Sequence, residues 1–149
     1  MTDVAEALKK LPEKLPDKLP EEAIVFAGDV MGFGPPPPAW SGRFPMYQAI
    51  KFVGVTALRG EVPKVIEVEV AVVKGSPLAR EDEPGLSDEV LARGSRWIVA
   101  AVEDEKRKVW LERYISKHSK DREAEARKFL ADKPIKPKEE KPKEPKQKK

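Results

Sequence analysis

Histidine occurs once in this 149-residue chain, at His118, and cysteine not at all, which narrows the chemistry its side chains can perform. A zinc site needs three or four nitrogen, sulfur or carboxylate ligands, and His118 has no companions at ligand spacing. Thiolate metal sites, cysteine nucleophiles and disulfides are excluded outright. Glu67 and Glu69 stand two apart in a strand-like run, a geometry that can hold a hard cation or an acid-base pair. Alternation accounts for them more simply as the wet face of a strand. Gly32-Phe33-Gly34 is not a phosphate cradle, because no helix follows it and the next four residues are prolines without amide donors. Ser41, Ser76, Ser87 and Ser95 have no base nearby, and a Ser-His-Asp set would have to recruit the one histidine. The residues predict no catalytic centre, no metal and no cofactor.

The side chains suited to contact are aromatic. Trp97 and Trp110 fall on strand-like segments, where tryptophans are usually core but can stack nucleic-acid bases on a small barrel. A better contact candidate is the loop 32–46, which holds Phe33, Pro35, Pro36, Pro37, Pro38, Trp40 and Phe44. Four successive prolines form a stiff polyproline II rod. Large aromatics on a stiff backbone lose little entropy on docking, as interface anchors do. Phe33, Pro36, Pro37, Trp40 and Phe44 are therefore the expected binding residues, with Trp40 as the anchor. The competing arrangement folds these aromatics back to plug one end of a barrel.

These residues must be positioned by strands. In residues 65–74 (VIEVEVAVVK), Ile66, Val68, Val70 and Val72 alternate with Glu67 and Glu69, the two-residue period of a half-buried strand. Residues 47–58 precede it, joined through the turn 61–64, and residues 23–31 (AIVFAGDVM) place Ile24, Phe26 and Val30 on one face. Gly28 and Gly54 interrupt their strands and predict a bulge or bend. Residues 95–102 and 108–115 read as strands four and five around the polar turn 103–105. Between strands three and four, residues 87–92 predict one or two helical turns, capped by Ser87 with Leu86, Val90 and Leu91 inward. Residues 119–131 predict the clearest helix, with an i,i+4 pair from Glu123 to Arg127 and a stripe of Ala126, Phe129 and Leu130. The fold class that follows is mainly β: a five-stranded OB-type Greek-key barrel with a short helix between strands 3 and 4 and a C-terminal helix.

The barrel region spans 23–131. Residues 1–22 predict a short helix over 4–11, capped by Asp3 and Glu6 and ended by Pro12, then a spacer with proline at every fourth residue. Residues 132–149 are too polar and proline-rich to bury. The formal charge of +3 is unevenly placed: the tail carries eight lysines against four acids and the lead four against six. The barrel region is close to neutral, so the electrostatic funnel of a nucleic-acid binder is missing. Gathering Arg43, Lys51, Arg59 and Lys64 on one groove would restore it. No stretch approaches the roughly 20 apolar residues of a membrane span, and the first residues lack a signal-peptide pattern. A cytoplasmic setting is the expectation as written, and an extracytoplasmic one if the chain is a processed fragment.

Residues 23–30 (AIVFAGDV) as opening strand, 52–60 (FVGVTALRG) ending in a basic-glycine turn, 65–70 as its paired strand and 93–99 (RGSRWIV) as a glycine turn into strand four together resemble the bacterial branch of the netrin-like domains, the group that includes tissue inhibitors of metalloproteinases. The resemblance covers about residues 23–130. It implies an OB-type fold and a habit of protein binding. Metalloproteinase inhibition in that group depends on an amino-terminal cysteine and disulfides, which this chain lacks, so no functional residue carries over. The expected function is a non-catalytic protein-binding or scaffolding module of unknown partner; the alternative is a single-stranded nucleic-acid-binding OB protein.

Overall fold

Ile24, Phe26 and Val30 do share one buried face, with at most 3% of any of them exposed, and that face is the inside of a closed sheet. The computed structural model describes residues 19–39, 46–73, 76–80, 83–106, 108–131 and 133. Among the described residues there are five strands: β1 (Ile24–Phe33), β2 (Tyr47–Arg59), β3 (Ile66–Ala71), β4 (Arg96–Asp104) and β5 (Val109–Lys117). β1 pairs antiparallel with both β2 and β4, β2 with β3, and β4 with β5. The ring closes where β3 runs parallel to β5, through Val68 opposite Trp110 and Glu69 opposite Leu111. The strand order around it is β1-β2-β3-β5-β4.

Alternation fills the ring. Ile50 and Phe52 of β2, Ile66, Val68 and Val70 of β3, and Trp97, Val99 and Ala101 of β4 join the β1 residues in one apolar cluster. Phe26 and Phe52 meet edge to face at its centre, ring centroids 5.5 Å apart, an arrangement favoured by the aromatic quadrupole. On β3 the predicted register holds: Val68 and Val70 are fully buried and Glu67 is exposed. A fully buried valine or phenylalanine contributes about 1.5–3 kcal/mol.

Both predicted glycine interruptions are real, and they face each other. Between the pairs Ala27–Thr56 and Asp29–Val53, β1 supplies one residue, Gly28, and β2 supplies two, Gly54 and Val55. This is a β-bulge, with Gly54 in the left-handed region at φ +59°. Arg96 of β4 stitches the site: Nη1 donates to Asp29 Oδ1 (3.1 Å) and to the Gly54 carbonyl (2.9 Å), and Nη2 to Thr56 Oγ1 (3.0 Å).

A second apolar layer lies outside the ring. Val25 and Ala27 of β1, Ile98 and Ala100 of β4 and Tyr114 of β5 are covered by Ala126 and Leu130 of α1 (Lys120–Leu130), with Leu19, Leu58 and Phe129 at the margin. β4 is thus buried on both faces, which is why Trp97-Ile98-Val99-Ala100-Ala101-Val102 is apolar without a break. Ser119 caps α1 as expected, its Oγ accepting from Arg122 N at 3.1 Å. Asp121 and Glu123 in the first turn and Arg127 and Lys128 in the last complement the helix dipole.

One element differs from expectation. Over residues 87–91, between β3 and β4, there is a hydrogen-bonded turn in place of a short helix. Leu91 N donates to Ser87 O (2.9 Å) and Val90 N to Ser87 Oγ (3.3 Å), so the cap is correct, and Leu86, Val90 and Leu91 are buried as predicted. The turn cannot propagate because Gly94, at φ +87°, turns the chain back so that its N–H bonds Val30 O at 2.7 Å.

Candidate functional site

The predicted contact loop departs from one end of the ring, and its root is tightly braced. Gly34 N donates to Ala49 O at 2.9 Å, prolonging the β1–β2 ladder by one bond. Gln48, only 4% exposed, donates from Nε2 to Gly34 O and accepts at Oε1 from Leu86 N, both at 2.8 Å. One side chain therefore ties the loop's entry to the β3–β4 connection. A buried amide with donor and acceptor both satisfied holds its partners in one arrangement, since breaking either bond strands a polar group. Val72 N donating to Met46 O at 2.8 Å braces the loop's exit.

Gly85 completes the brace. Its φ of +134° favours glycine, and a Cβ placed there would lie 3.2 Å from Pro36 Cβ and 3.3 Å from Gln48 Oε1. Pro36 rests over this notch. Pro35, Pro36 and Pro38 are exposed and Pro37 is half-buried. Phe33, among the predicted contacts, is the last residue of β1, paired with Ile50, and is partly buried against the inner core. The register shift between Val30 and Gly32 leaves Met31 exposed and sets Phe33 opposite the inward-facing Ile50. Trp40 and Phe44 lie outside the described residues, as do the lead's predicted helix and the tail apart from Lys133.

Gln48 is a site residue the sequence pattern passed over. It shares its strand face with Ile50 and Phe52, and a lone polar residue on an apolar face is the signal that identifies it.

The other candidates are accounted for by structural contacts. His118 Nε2 lies 2.7 Å from Glu123 Oε1, and Arg127 Nη2 donates to Glu123 Oε2 at 2.8 Å. These two hydrogen bonds hold the Glu123 carboxyl below the usual carboxylate range. Among the described residues no three histidines or carboxylates gather as metal ligands. Glu67 stands opposite Lys51 across β2 and β3, on the outer face. Glu112 is different: it sits opposite Ala101, on the inner face, and its Oε1 accepts weakly from Ala71 N at 3.4 Å. Burial raises its carboxyl above the usual range, with the Ala71 amide and Arg113 opposing.

Of the bases named for a nucleic-acid groove, Arg43 lies outside the described residues, and Lys51 and Lys64 are on or beside the sheet. Arg59 is 7% exposed and fully engaged at the opposite end of the ring from the loop. Its Nε donates to Ala23 O (3.0 Å), Nη2 to Pro20 O (2.6 Å) and Nη1 to Lys133 O (3.3 Å). Trp97 is wholly buried, its indole N–H donating to Ser95 Oγ at 2.9 Å, and Trp110 packs against the core. Trp97 thus has no open ring face for base stacking, and Trp110 is partly buried.

No protein-family model, curated protein or solved structure matches the chain. Among the described residues no helix is long and apolar enough to cross a membrane.

Proposed function

We propose that this chain is a non-catalytic protein-binding or scaffolding module built on an OB-type Greek-key barrel of netrin-like kind, with the loop between β1 and β2 as its contact surface. The parallel closure of β3 on β5 in the order β1-β2-β3-β5-β4 supports the OB reading. The observation that carries the functional reading is the brace formed by Gln48 and Gly85 under Pro36. It makes a proline-rich, aromatic-bearing loop rigid at its root, and a rigid root lowers the ordering cost of binding.

Trp40→Ala tests this. The variant is expected to lose capture of a protein partner from lysate while melting close to the parent, because truncating a hot spot costs about 2 kcal/mol or more, roughly thirtyfold in affinity. Retention on single-stranded DNA at low salt, falling steeply as salt rises and indifferent to Trp40, would support nucleic-acid binding instead. Unfolding of the Trp40→Ala protein would make the loop a plug of the ring and end the proposal.

A further inference from the structure

We infer that the partner reads this loop through its proline rod, with a groove of aromatic side chains that receives Pro35 and Pro38. The inference rests on the loop reading above and adds the chemistry of what docks there.

Each proline fixes its own φ near about −65° and pushes the residue before it into the extended region. Four in succession therefore wind as a polyproline II helix with three residues per turn. In such a helix residues three apart share an edge, and here these are Pro35 and Pro38, both exposed. The other two edges carry one ring each: Pro36, exposed but with its Cβ against the notch at Gly85, and Pro37, half-buried. The edge of Pro35 and Pro38 is the one that offers two exposed rings.

What that edge offers is specific. Residues 35–38 have no backbone N–H, so the rod cannot extend the edge of a partner's sheet. It presents pyrrolidine rings at every third position and carbonyls that only accept. The complementary surface is a set of tryptophan and tyrosine rings, whose flat faces take the pyrrolidines and whose N–H and O–H groups donate to the carbonyls. Because the rod is preformed and its root is held by Gln48, little ordering accompanies docking.

The test uses the full chain and a panel of immobilised WW and other polyproline-reading domains whose grooves are lined by tryptophan and tyrosine. At least one domain is expected to retain the chain, with free decaproline displacing it. The double variant Pro35→Ala/Pro38→Ala should weaken that retention by about tenfold or more with an unchanged melting temperature, as expected for lost contact edges on a folded protein. Failure of every domain to hold the parent better than the double variant overturns the inference. If Trp40→Ala abolishes partner capture while the double-proline variant retains it, the loop remains the binding site and the aromatic groove is wrong. If neither change affects capture, both readings fall.

Discussion

Asp29 and Gly54 share a space that only one of them fills: a Cβ at Gly54 would stand 2.9 Å from Asp29 Oδ2. The carboxylate occupies the room the glycine leaves, and Arg96 bonds both the carboxylate and the glycine's carbonyl. Gly54→Ala should therefore cost twice, through its φ of +59° and through the collision, with a total of about 1–3 kcal/mol. Removing Asp29 relieves only the collision. Denaturant unfolding should find Gly54→Ala less costly in an Asp29→Ala background than alone; strict additivity would place the whole cost in the backbone.

The register of β3 supplies a sharper contrast. Val68 is fully buried between Ile50 and Trp110, while Glu67 is exposed opposite Lys51. Val68→Asp should cost several kcal/mol, comparable to a whole-domain stability of about 5–15 kcal/mol, and abolish cooperative unfolding. Glu67→Ala should stay within about 0.5 kcal/mol of the parent. Circular dichroism melts of the two variants decide it.

Two carboxylates should respond to pH in opposite senses. Burial raises the folded-state value of Glu112, so its contribution to stability is fully present below the unfolded value and lost as pH rises through the folded one. Glu112→Gln keeps an acceptor for Ala71 N and is expected to melt higher than the parent at pH 7, the gain closing as pH falls toward 4. The folded-state value of Glu123 is lowered by hydrogen bonds from His118 and Arg127, so its contribution is present above the unfolded value and lost as pH falls through the folded one. Glu123→Gln should melt lower than the parent at pH 7, and that deficit should close on acidification. Melting curves from pH 4 to 8 that moved both variants in the same direction would contradict the assignment.

The contacts that hold the domain run from Leu19, at the margin of the outer layer, to Lys133, whose carbonyl bonds Arg59. A chain trimmed to residues 19–133 should melt within a few degrees of the full protein. Trimming to residues 21–132 removes Pro20 and Lys133, two of the three acceptors of a nearly buried guanidinium. A hydrogen bond to a charged group is worth about 1.5–3 kcal/mol, so that chain should melt several degrees lower, as Arg59→Ala should. Equal melting temperatures for the two trimmed chains would show that Arg59 is satisfied by water instead.

Those strands, the facing glycines and the capped helix were legible because each is a local pattern: period-two alternation in residues 65–73, glycine within an apolar run, Ser119 ahead of a charged helical segment. The inner-face residues followed directly. What stayed hidden depends on partners far along the chain. Gln48 bonds residues 14 and 38 positions away, and Arg59 reaches carbonyls 36, 39 and 74 positions away. No periodicity reports such contacts, and Arg59 on sequence grounds looked like a groove base. The turn at 87–91 was legible as to cap and burial but not as to length, because Gly94's conformation is set by its bond to Val30. Of the loop's expected contacts, Pro36 lies against Gly85 and Phe33 ends β1, a pairing that no local pattern in the loop reports.

Arg59 also fixes where the polypeptide enters and leaves. Pro20 and Lys133 are bonded to the same guanidinium, so the proline-spaced lead and the lysine-rich tail depart from a single point, at the end of the ring away from the contact loop. One side chain clasps both ends of the described chain, so drawing Pro20 away from Lys133 strains the hydrogen bonds of Arg59 at the end of the ring far from the proline loop. The same geometry lets the whole unit be spliced into a surface loop of another protein with its ends already adjacent, the arrangement in which an inserted domain least disturbs its host.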